Sequence, residues 1–181
     1  GRQIFMLQWG LVAKGRPQEP LLNSLINARA ESLLDRPSFK EAFLKRRCLV
    51  IADGFYEWKT EYRTKQPYRI HLKNNMPLAF AGIWEKSQAD NSGGPQPNKF
   101  AIITTAAVYS ISHIHSRMPV ILNPGDYENW LNGDGLEVIK KLGTYNEMDL
   151  HFYKVPPEVG NINNDSRELL KEYDPPQLAL F

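Results

Sequence analysis

The side chains of this sequence best suited to proton transfer and anion binding fall in four short polar segments. These segments are Asn27-Ala28-Arg29, Glu57, His115-Ser116-Arg117 and the pair Asn161/Asn163. Each stands at the end of an apolar segment or in the loop beside it, and loops on a rigid sheet can bring such residues together. A carboxylate and a histidine form an acid–base pair, and arginines hold phosphates or oxyanions. The residues therefore predict a cleft with acid–base chemistry and leave its substrate open.

The segment around Glu57 reads RRCLVIADGFYEWK over residues 46–59. Its apolar run, residues 48–52, is typical of a strand buried on both faces. Asp53-Gly54 then predicts a turn, with a glycine that is free to adopt a positive φ.

Glu57 itself is expected to lie in a second strand, on the face it shares with Phe55. A carboxylate held among aromatic side chains is costly to ionise, so we expect a raised pKa that suits a general acid or base. The three aromatics are Phe55, Tyr56 and Trp58. The alternative is a structural ion pair at a sheet edge, with Lys59 or Lys65 as the partner of Glu57.

Other candidate sites have simpler explanations. The only cysteine, Cys48, is a conceivable nucleophile, but its apolar neighbours predict a packed thiol with a raised pKa. We do not expect His113 and His115 to share a metal ion, and no phosphate-loop, HExxH or GxSxG motif is present. No cofactor is therefore expected. Several aromatics are either core residues or platforms for nucleobases: Trp9, Phe55, Tyr56, Trp58 and Trp84.

Composition and pattern predict an α+β fold. The chain has 181 residues, 42% of them hydrophobic, and its net charge of +2 is too small to indicate a nucleic-acid partner. No apolar run reaches the length of a membrane span. Predicted strands are 3–12, 48–52, 55–58, 67–72, 78–84, 100–105, 120–122 and 152–155, with a hairpin turn at Asn74-Asn75. Residues 67–72 alternate like an exposed strand, and residues 13–20, 60–66 and 86–98 are predicted loops. Predicted helices are 38–45, capped by Ser38, then 126–131 and 136–142.

Nine segments in order resemble the SRAP domain family (SOS-response-associated peptidase). They are LQWGL (7–11), NARAES (27–32), PSFKEAF (37–43), RRCLVIADGFYEW (46–58), KQPY (65–68), FAGIWE (80–85), FAIITTAA (100–107), IHSRMPVIL (114–122) and VGNINND (159–165). The resemblance implies a single domain over residues 1–181, with a loose tail from about residue 168. It also implies a mixed, mostly antiparallel sheet curled into a pseudo-barrel with a few short helices.

The resemblance further implies chemistry at abasic sites of single-stranded DNA. Family members link an N-terminal cysteine to the ring-opened aldehyde of the abasic site and close a thiazolidine ring. Asn27 would orient that cysteine, Glu57 would act as acid and base, and His115 would move protons. Arg29, Arg117, Trp9 and Asn161 would contact DNA. The peptidase activity would remove the initiator methionine.

Two departures from the family pattern matter. The family opens with Met-Cys-Gly-Arg, and we read Gly1-Arg2 as the lead into the WGL strand, with the N-terminal segment and its cysteine absent. The second departure is Ser116, which stands where the family usually has aspartate. Without that aspartate, the group that orients His115 is left open. Residues 12–20 also lack the Pro-Trp-rich loop that commonly follows WGL.

Three functions remain open at this point. The first is abasic-site processing through a covalent crosslink, by a monomer in the bacterial cytoplasm near the nucleoid, or in the nucleus of a eukaryote. The second is a module that binds single-stranded DNA without covalent chemistry. The third is a peptidase, acting on other proteins or mainly on its own N-terminus. No membrane partner and no cofactor are expected in any of them.

Overall fold

A computed structural model describes residues 3–12, 24–61, 63–86, 97–141 and 149–174. The chain divides into two compact units, and it passes between them several times. The first unit contains Gly1–Ile51, Ala79–Ala106 and Met118–Tyr145, and the second contains Ala52–Leu78, Ala107–Arg117 and Asn146–Phe181.

The first unit contains a six-stranded mixed sheet. Its central strand is β7 (Lys99–Ala106), and the sheet order is β1-β7-β6-β3, with β2 and β8 also paired to β7. β1 and β2 run parallel to β7, whereas β6 runs antiparallel to it. The other strands are β1 (Gln8–Trp9), β2 (Asn27–Arg29), β3 (Arg47–Ala52), β6 (Leu78–Glu85) and β8 (Arg117–Pro119).

One face of this sheet forms the hydrophobic core with three helices. The helices are α1 (Pro37–Lys45), α3 (Tyr127–Asn132) and α4 (Gly135–Lys141). Sheet residues such as Ala28 and Ile103 are completely buried in the same cluster as Phe43 and Trp130. Successive side chains of a strand point to opposite faces of the sheet. The residues next to the core positions in β2 and β7 therefore lie on the face away from this core.

Two predictions for this unit are wrong. Ser38 does not cap α1, which begins one residue earlier at Pro37, because a proline with its fixed φ is well suited to the first helical position. β3 is not buried on both faces: it stands last in the sheet order, and Ile51 is 64% exposed. Only strands covered on both faces are buried throughout.

The second unit contains a three-stranded antiparallel sheet in the order β4-β5-β9. Its strands are β4 (Phe55–Glu61), β5 (Thr64–Leu72) and β9 (Leu150–Lys154). Thus β4 and β5 extend into residues 60–66, where the sequence predicted a polar loop. The central strand β5, which pairs with β4 and β9 on its two edges, is mostly buried, although its alternation is typical of an exposed strand.

The turn after β5 is placed correctly, but the hairpin prediction is wrong. Asn75 has a φ of 57°, the left-handed conformation that asparagine tolerates. β5 and β6 nevertheless belong to different sheets. Asp53-Gly54 also forms a bend between β3 and β4, yet positive φ among the described glycines occurs at Gly10 and not at Gly54.

Several other predicted elements are confirmed: β7, β9, α3 and α4 lie close to their predicted positions. The strand predicted at 3–12 forms only over Gln8–Trp9, and the strand predicted at 120–122 forms instead at β8. β9 also holds part of the predicted tail, since the Tyr153 hydroxyl donates to the Leu170 carbonyl over 2.7 Å and the Tyr173 amide donates to Lys154 O over 2.9 Å. The predicted loop at 13–20, most of the predicted loop at 86–98 and residues 175–181 lie outside the described residues.

The predicted α+β class, with parallel and antiparallel strand pairs, is confirmed. Within the described ranges, the structure also has a short helix α2 (Tyr109–Ser112) and four 3-10 turns. These turns are Ala30–Ser32, Pro124–Asp126, Pro157–Gly160 and Arg167–Leu170. Across the described part of the chain, every helix is too short or too polar to span a membrane.

Candidate active site

Glu57 lies in β4 of the second unit, directly opposite Tyr68 of β5. Its side chain is 21% exposed, so the carboxyl is largely shielded from water but still accessible to a ligand. Burial raises the pKa of Glu57 above its ordinary value, and the neighbouring His115 partly opposes that rise. The predicted direction of the shift is therefore confirmed, with burial as its main cause.

His115 is the partner of Glu57. Its Nδ1 lies 3.3 Å from Glu57 Oε2, and the imidazole is 44% exposed. Lys59 instead pairs with Glu61 over 3.3 Å on the same face of β4. The structural alternative, a Glu57–Lys59 or Glu57–Lys65 ion pair, is wrong in this structure, because the turn after α2 supplies the histidine.

The backbone of Arg117 holds the His115 ring. The Arg117 amide donates to His115 Nδ1 over 3.2 Å, and the Arg117 carbonyl lies 3.1 Å from the same nitrogen. An unprotonated Nδ1 can accept from the amide, and a protonated Nδ1 can donate to the carbonyl or to Glu57. The ring thus has a hydrogen-bond partner in both protonation states.

This backbone contact answers the question raised by Ser116. The orientation of His115 comes from Glu57 and from main-chain atoms of Arg117, not from the side chain at position 116. The Ser116 carbonyl accepts from the Ala107 amide over 3.0 Å and closes the turn. The sequence carries no sign of this contact, since a main-chain partner leaves no signal in residue types.

His113 does not share the surroundings of His115. It follows α2 as a helix C-cap, not as part of a strand, and its ring lies edge-on against Phe152 with the centroids 5.3 Å apart. No group of three or more histidine, cysteine, aspartate or glutamate side chains suited to a metal ion occurs among the described residues.

Three of the predicted site residues share one face of the sheet in the first unit. Parallel pairing places Trp9 beside Phe100, Asn27 beside Ile102 and Arg29 beside Thr104. Because Ala28 is buried in the core on the opposite face, Asn27 and Arg29 are directed away from that core and are exposed.

The Trp9 ring is held in place on that face by two contacts. Its ring stacks on Phe100 with centroids 6.3 Å apart and 11° between planes, and its Nε1 donates to Ile26 O over 2.8 Å. The Trp9 side chain remains partly open to solvent, at 48% exposure for the residue. Phe100 was missed in the sequence, although the alternation of FAIITT could have placed it on this face.

The other two predicted contact residues lie in the second unit. Arg117 opens β8, and its main chain positions His115. Asn161 is exposed, and its Oδ1 accepts from the Asn163 amide over 3.0 Å, so the side chain shapes its own turn.

Cys48 has the properties predicted for a packed thiol. Burial raises the pKa of its thiol to about 12. Its Sγ lies over Gly82, where an added Cβ would come within 2.8 Å of the sulfur. Such a thiol is a poor nucleophile at neutral pH.

Comparison with known proteins identifies the family. A sequence profile named SOS response associated peptidase (SRAP) matches residues 1–162. The chain belongs to the SRAP family. This SRAP protein is 37% identical over 174 residues to the abasic site processing protein YoqW of Bacillus subtilis, covering 92% of this chain and 75% of the relative. It is 30% identical to the abasic site processing protein YedK of Escherichia coli, covering 81% of this chain and 67% of the relative.

The SRAP protein also resembles a vertebrate relative and a solved structure. It is 30% identical to the abasic site processing protein HMCES of Gallus gallus, with 93% of this chain and 57% of that protein covered. A crystal structure of a Bacteroides thetaiotaomicron protein matches with a TM-score of 0.80 and 29% identity, covering 92% of this chain and 75% of that one. The family predicted from the motifs is confirmed.

Proposed function

We propose that this SRAP protein processes abasic sites in single-stranded DNA. Relatives from bacteria, yeast and vertebrates carry the name abasic site processing protein. The observation that carries the proposal is the contact of a half-buried Glu57 with His115, because aldehyde chemistry at an abasic site needs positioned proton transfer and little else.

The proposed reaction joins the α-amine and thiol of one cysteine to the C1′ aldehyde of the ring-opened deoxyribose. The amine adds to the aldehyde, water leaves to give a Schiff base, and the thiol adds to the imine carbon to close the thiazolidine. Cys48 is unsuited to this role, since its nitrogen is a peptide amide and its thiol has a pKa of about 12. The reaction is therefore assigned to an amino-terminal cysteine of the kind that the family carries directly after its initiator methionine.

Glu57 and His115 supply the proton transfers. The raised pKa of Glu57 keeps part of the population protonated at higher pH than an ordinary carboxyl, so it can donate to the ring oxygen of the sugar or to the departing water. His115, 3.3 Å away, can return that proton. Asn27 is assigned to orient the nucleophile.

DNA contacts are assigned to Trp9, Arg29 and Asn161, which are exposed, and to Arg117, which is half-buried. The sheet face that carries Trp9 and Arg29 combines a stacking ring with a cation, the pairing that single-strand binding uses. Arg117 and Asn161 are the proposed contacts in the second unit. We further propose a monomer that works without a cofactor in the bacterial cytoplasm near the nucleoid, or in the nucleus of a eukaryote.

A second candidate is non-covalent binding of single-stranded DNA. The stacked Trp9–Phe100 pair beside Arg29 favours it, because those residues suffice for binding without chemistry. Autoprocessing peptidase and lyase activities use the same Glu57–His115 pair and accompany the first proposal. A peptidase acting on other proteins ranks last.

The test is a denaturing gel of the gene product with its native amino terminus, mixed with single-stranded DNA that carries one abasic site. A heat-stable shifted band that is absent with intact DNA supports covalent processing. Binding on a native gel without such a band supports the non-covalent module and refutes the crosslink.

A further inference from the structure

A pair of histidines outside the candidate active site faces across the β5–β9 ladder. His71 of β5 and His151 of β9 are directly opposite in the antiparallel register. Their nearest nitrogens, His71 Nε2 and His151 Nδ1, are 3.3 Å apart. Since Glu57 lies opposite Tyr68, three residues from His71 on the same strand, the alternation of β5 places the pair on the other face of the sheet.

The backbone selects the tautomer of His71. Its Nδ1 lies 2.8 Å from the Leu72 carbonyl, to which it donates as an N–H group. The proton is therefore on Nδ1, and the lone pair of Nε2 is directed at His151. A histidine whose other nitrogen donates to a carbonyl is arranged in the way that metal-binding histidines are.

The distance between the two nitrogens fits two ligands of one metal ion. Two Zn–N bonds of about 2.05 Å at a tetrahedral angle place their nitrogens about 3.3 Å apart. With about 1.2 Å from ring centre to nitrogen, the same geometry places the two ring centres about 5.3 Å apart. The structure has 3.3 Å between nitrogens and 5.3 Å between centroids, with 77° between the rings. For comparison, N–H···O hydrogen bonds in proteins are most often about 2.9–3.0 Å long.

We propose that His71 Nε2 and His151 Nδ1 bind one divalent transition-metal ion of the zinc type, which joins β9 to β5. Imidazole nitrogens favour zinc, copper and nickel over magnesium and calcium. On binding, the proton of His151 Nδ1 passes to Nε2 of the same ring through water, so the ring remains neutral. Water completes the coordination on the open side, because His151 is exposed and lies on the last strand of the sheet order.

The surroundings of the pair are compatible with a bound cation. Arg69 lies on this face of β5, and its charge opposes a metal ion, but Asp53 lies 3.3 Å from the guanidinium and offsets it. Tyr153 packs edge-on against His71 at 5.7 Å between centroids, and its hydroxyl already donates to Leu170 O, so it does not serve as a third ligand.

The test measures thermal stability and histidine spectra of the whole chain, freed of metal with a chelator. Addition of about 100 μM ZnCl2 is expected to raise Tm by about 3 °C, and the same amount of MgCl2 is expected to leave it unchanged. The 15N resonance of His151 Nδ1 is expected to shift with zinc, as the proton moves to Nε2. DNA is absent from this assay, so its result is independent of the proposed function.

Variants of single histidines complete the test. His151→Gln removes an exposed ligand without disturbing the core and is expected to abolish the zinc-dependent rise in Tm. His113→Gln, which removes a histidine that packs on Phe152, is expected to retain it. If zinc fails to raise Tm in the unmodified protein, the pair is only hydrogen-bonded and the proposal is refuted. An equal rise in the His151→Gln variant refutes it as well.

Discussion

Replacing Glu57 by glutamine tests the acid–base assignment most directly. Glutamine keeps the length and volume of the side chain, and its amide can still approach His115 Nδ1, which lies 3.3 Å from the carboxylate oxygen. The variant loses only the group that gains and releases the proton. We expect the rate of crosslink formation at an abasic site to fall about 100-fold, the lower end of what general acid–base catalysis contributes, because His115 remains.

The pH dependence of the reaction adds a second readout. Burial raises the pKa of Glu57, so a step that uses the protonated carboxyl slows as pH rises through that pKa. This decline should be present in the unmodified protein and absent in Glu57→Gln. Single-turnover rates from denaturing gels over a range of pH values measure it.

The same raised pKa has a consequence for stability. The folded protein binds the Glu57 proton more tightly than the unfolded chain, so this group stabilises the fold below its ordinary pKa of 4.5 and loses that contribution as pH rises through the folded pKa. Glu57→Gln should therefore be more stable than the unmodified protein at neutral pH. The difference between the free energies of unfolding of the two proteins should disappear at acidic pH, where Glu57 is protonated in both the folded and the unfolded state.

The control for this variant is Glu61→Gln on the same strand. Glu61 pairs with Lys59 and Lys154 over 3.3 and 3.6 Å, away from His115, and its loss should leave the crosslinking rate within about twofold of the original. Affinity for single-stranded DNA should also be unchanged in Glu57→Gln. An unchanged rate in Glu57→Gln, or a loss of rate that follows a loss of DNA affinity, would refute the acid–base role.

Three further predictions concern DNA binding and the thiol. Trp9→Ala should weaken binding to single-stranded DNA about tenfold in fluorescence anisotropy, because it removes the stacking ring, whereas Leu44→Ala, an exposed apolar residue of α1, should not. Arg29→Gln should weaken binding and lower the slope of log affinity against log salt by about 0.7, while Arg36→Gln at the start of α1 should leave the slope unchanged. Cys48 should resist iodoacetamide at about pH 8 in the folded protein and react on unfolding, since its pKa of about 12 leaves about one thiolate in ten thousand.

Each of these has an outcome that contradicts it. Equal losses of DNA affinity in Trp9→Ala and Leu44→Ala would refute a stacking role for Trp9. An unchanged salt slope in Arg29→Gln would refute a contact between Arg29 and a DNA phosphate. Rapid alkylation of folded Cys48, followed by mass spectrometry, would show that the thiol is not packed as described.

The sequence alone determined the family and much of the local structure. Nine motifs in order identified SRAP, and β7, α3 and α4 lie where alternation and helical spacing predicted them. The raised pKa of Glu57 was also predicted, and burial is its main cause. These properties depend on residues close together in the chain.

The tertiary structure decided what depends on contacts between distant segments. β3 is half-buried where full burial was predicted, and β5 is mostly buried where exposure was predicted, because burial depends on what covers a strand and not only on its own pattern. The partner of Glu57 became His115 instead of a nearby lysine, and main-chain atoms of Arg117 orient that histidine. Likewise His71 and His151 meet only through the register of β5 and β9. A single sequence records neither strand order nor register, since both arise from pairing between segments far apart in the chain.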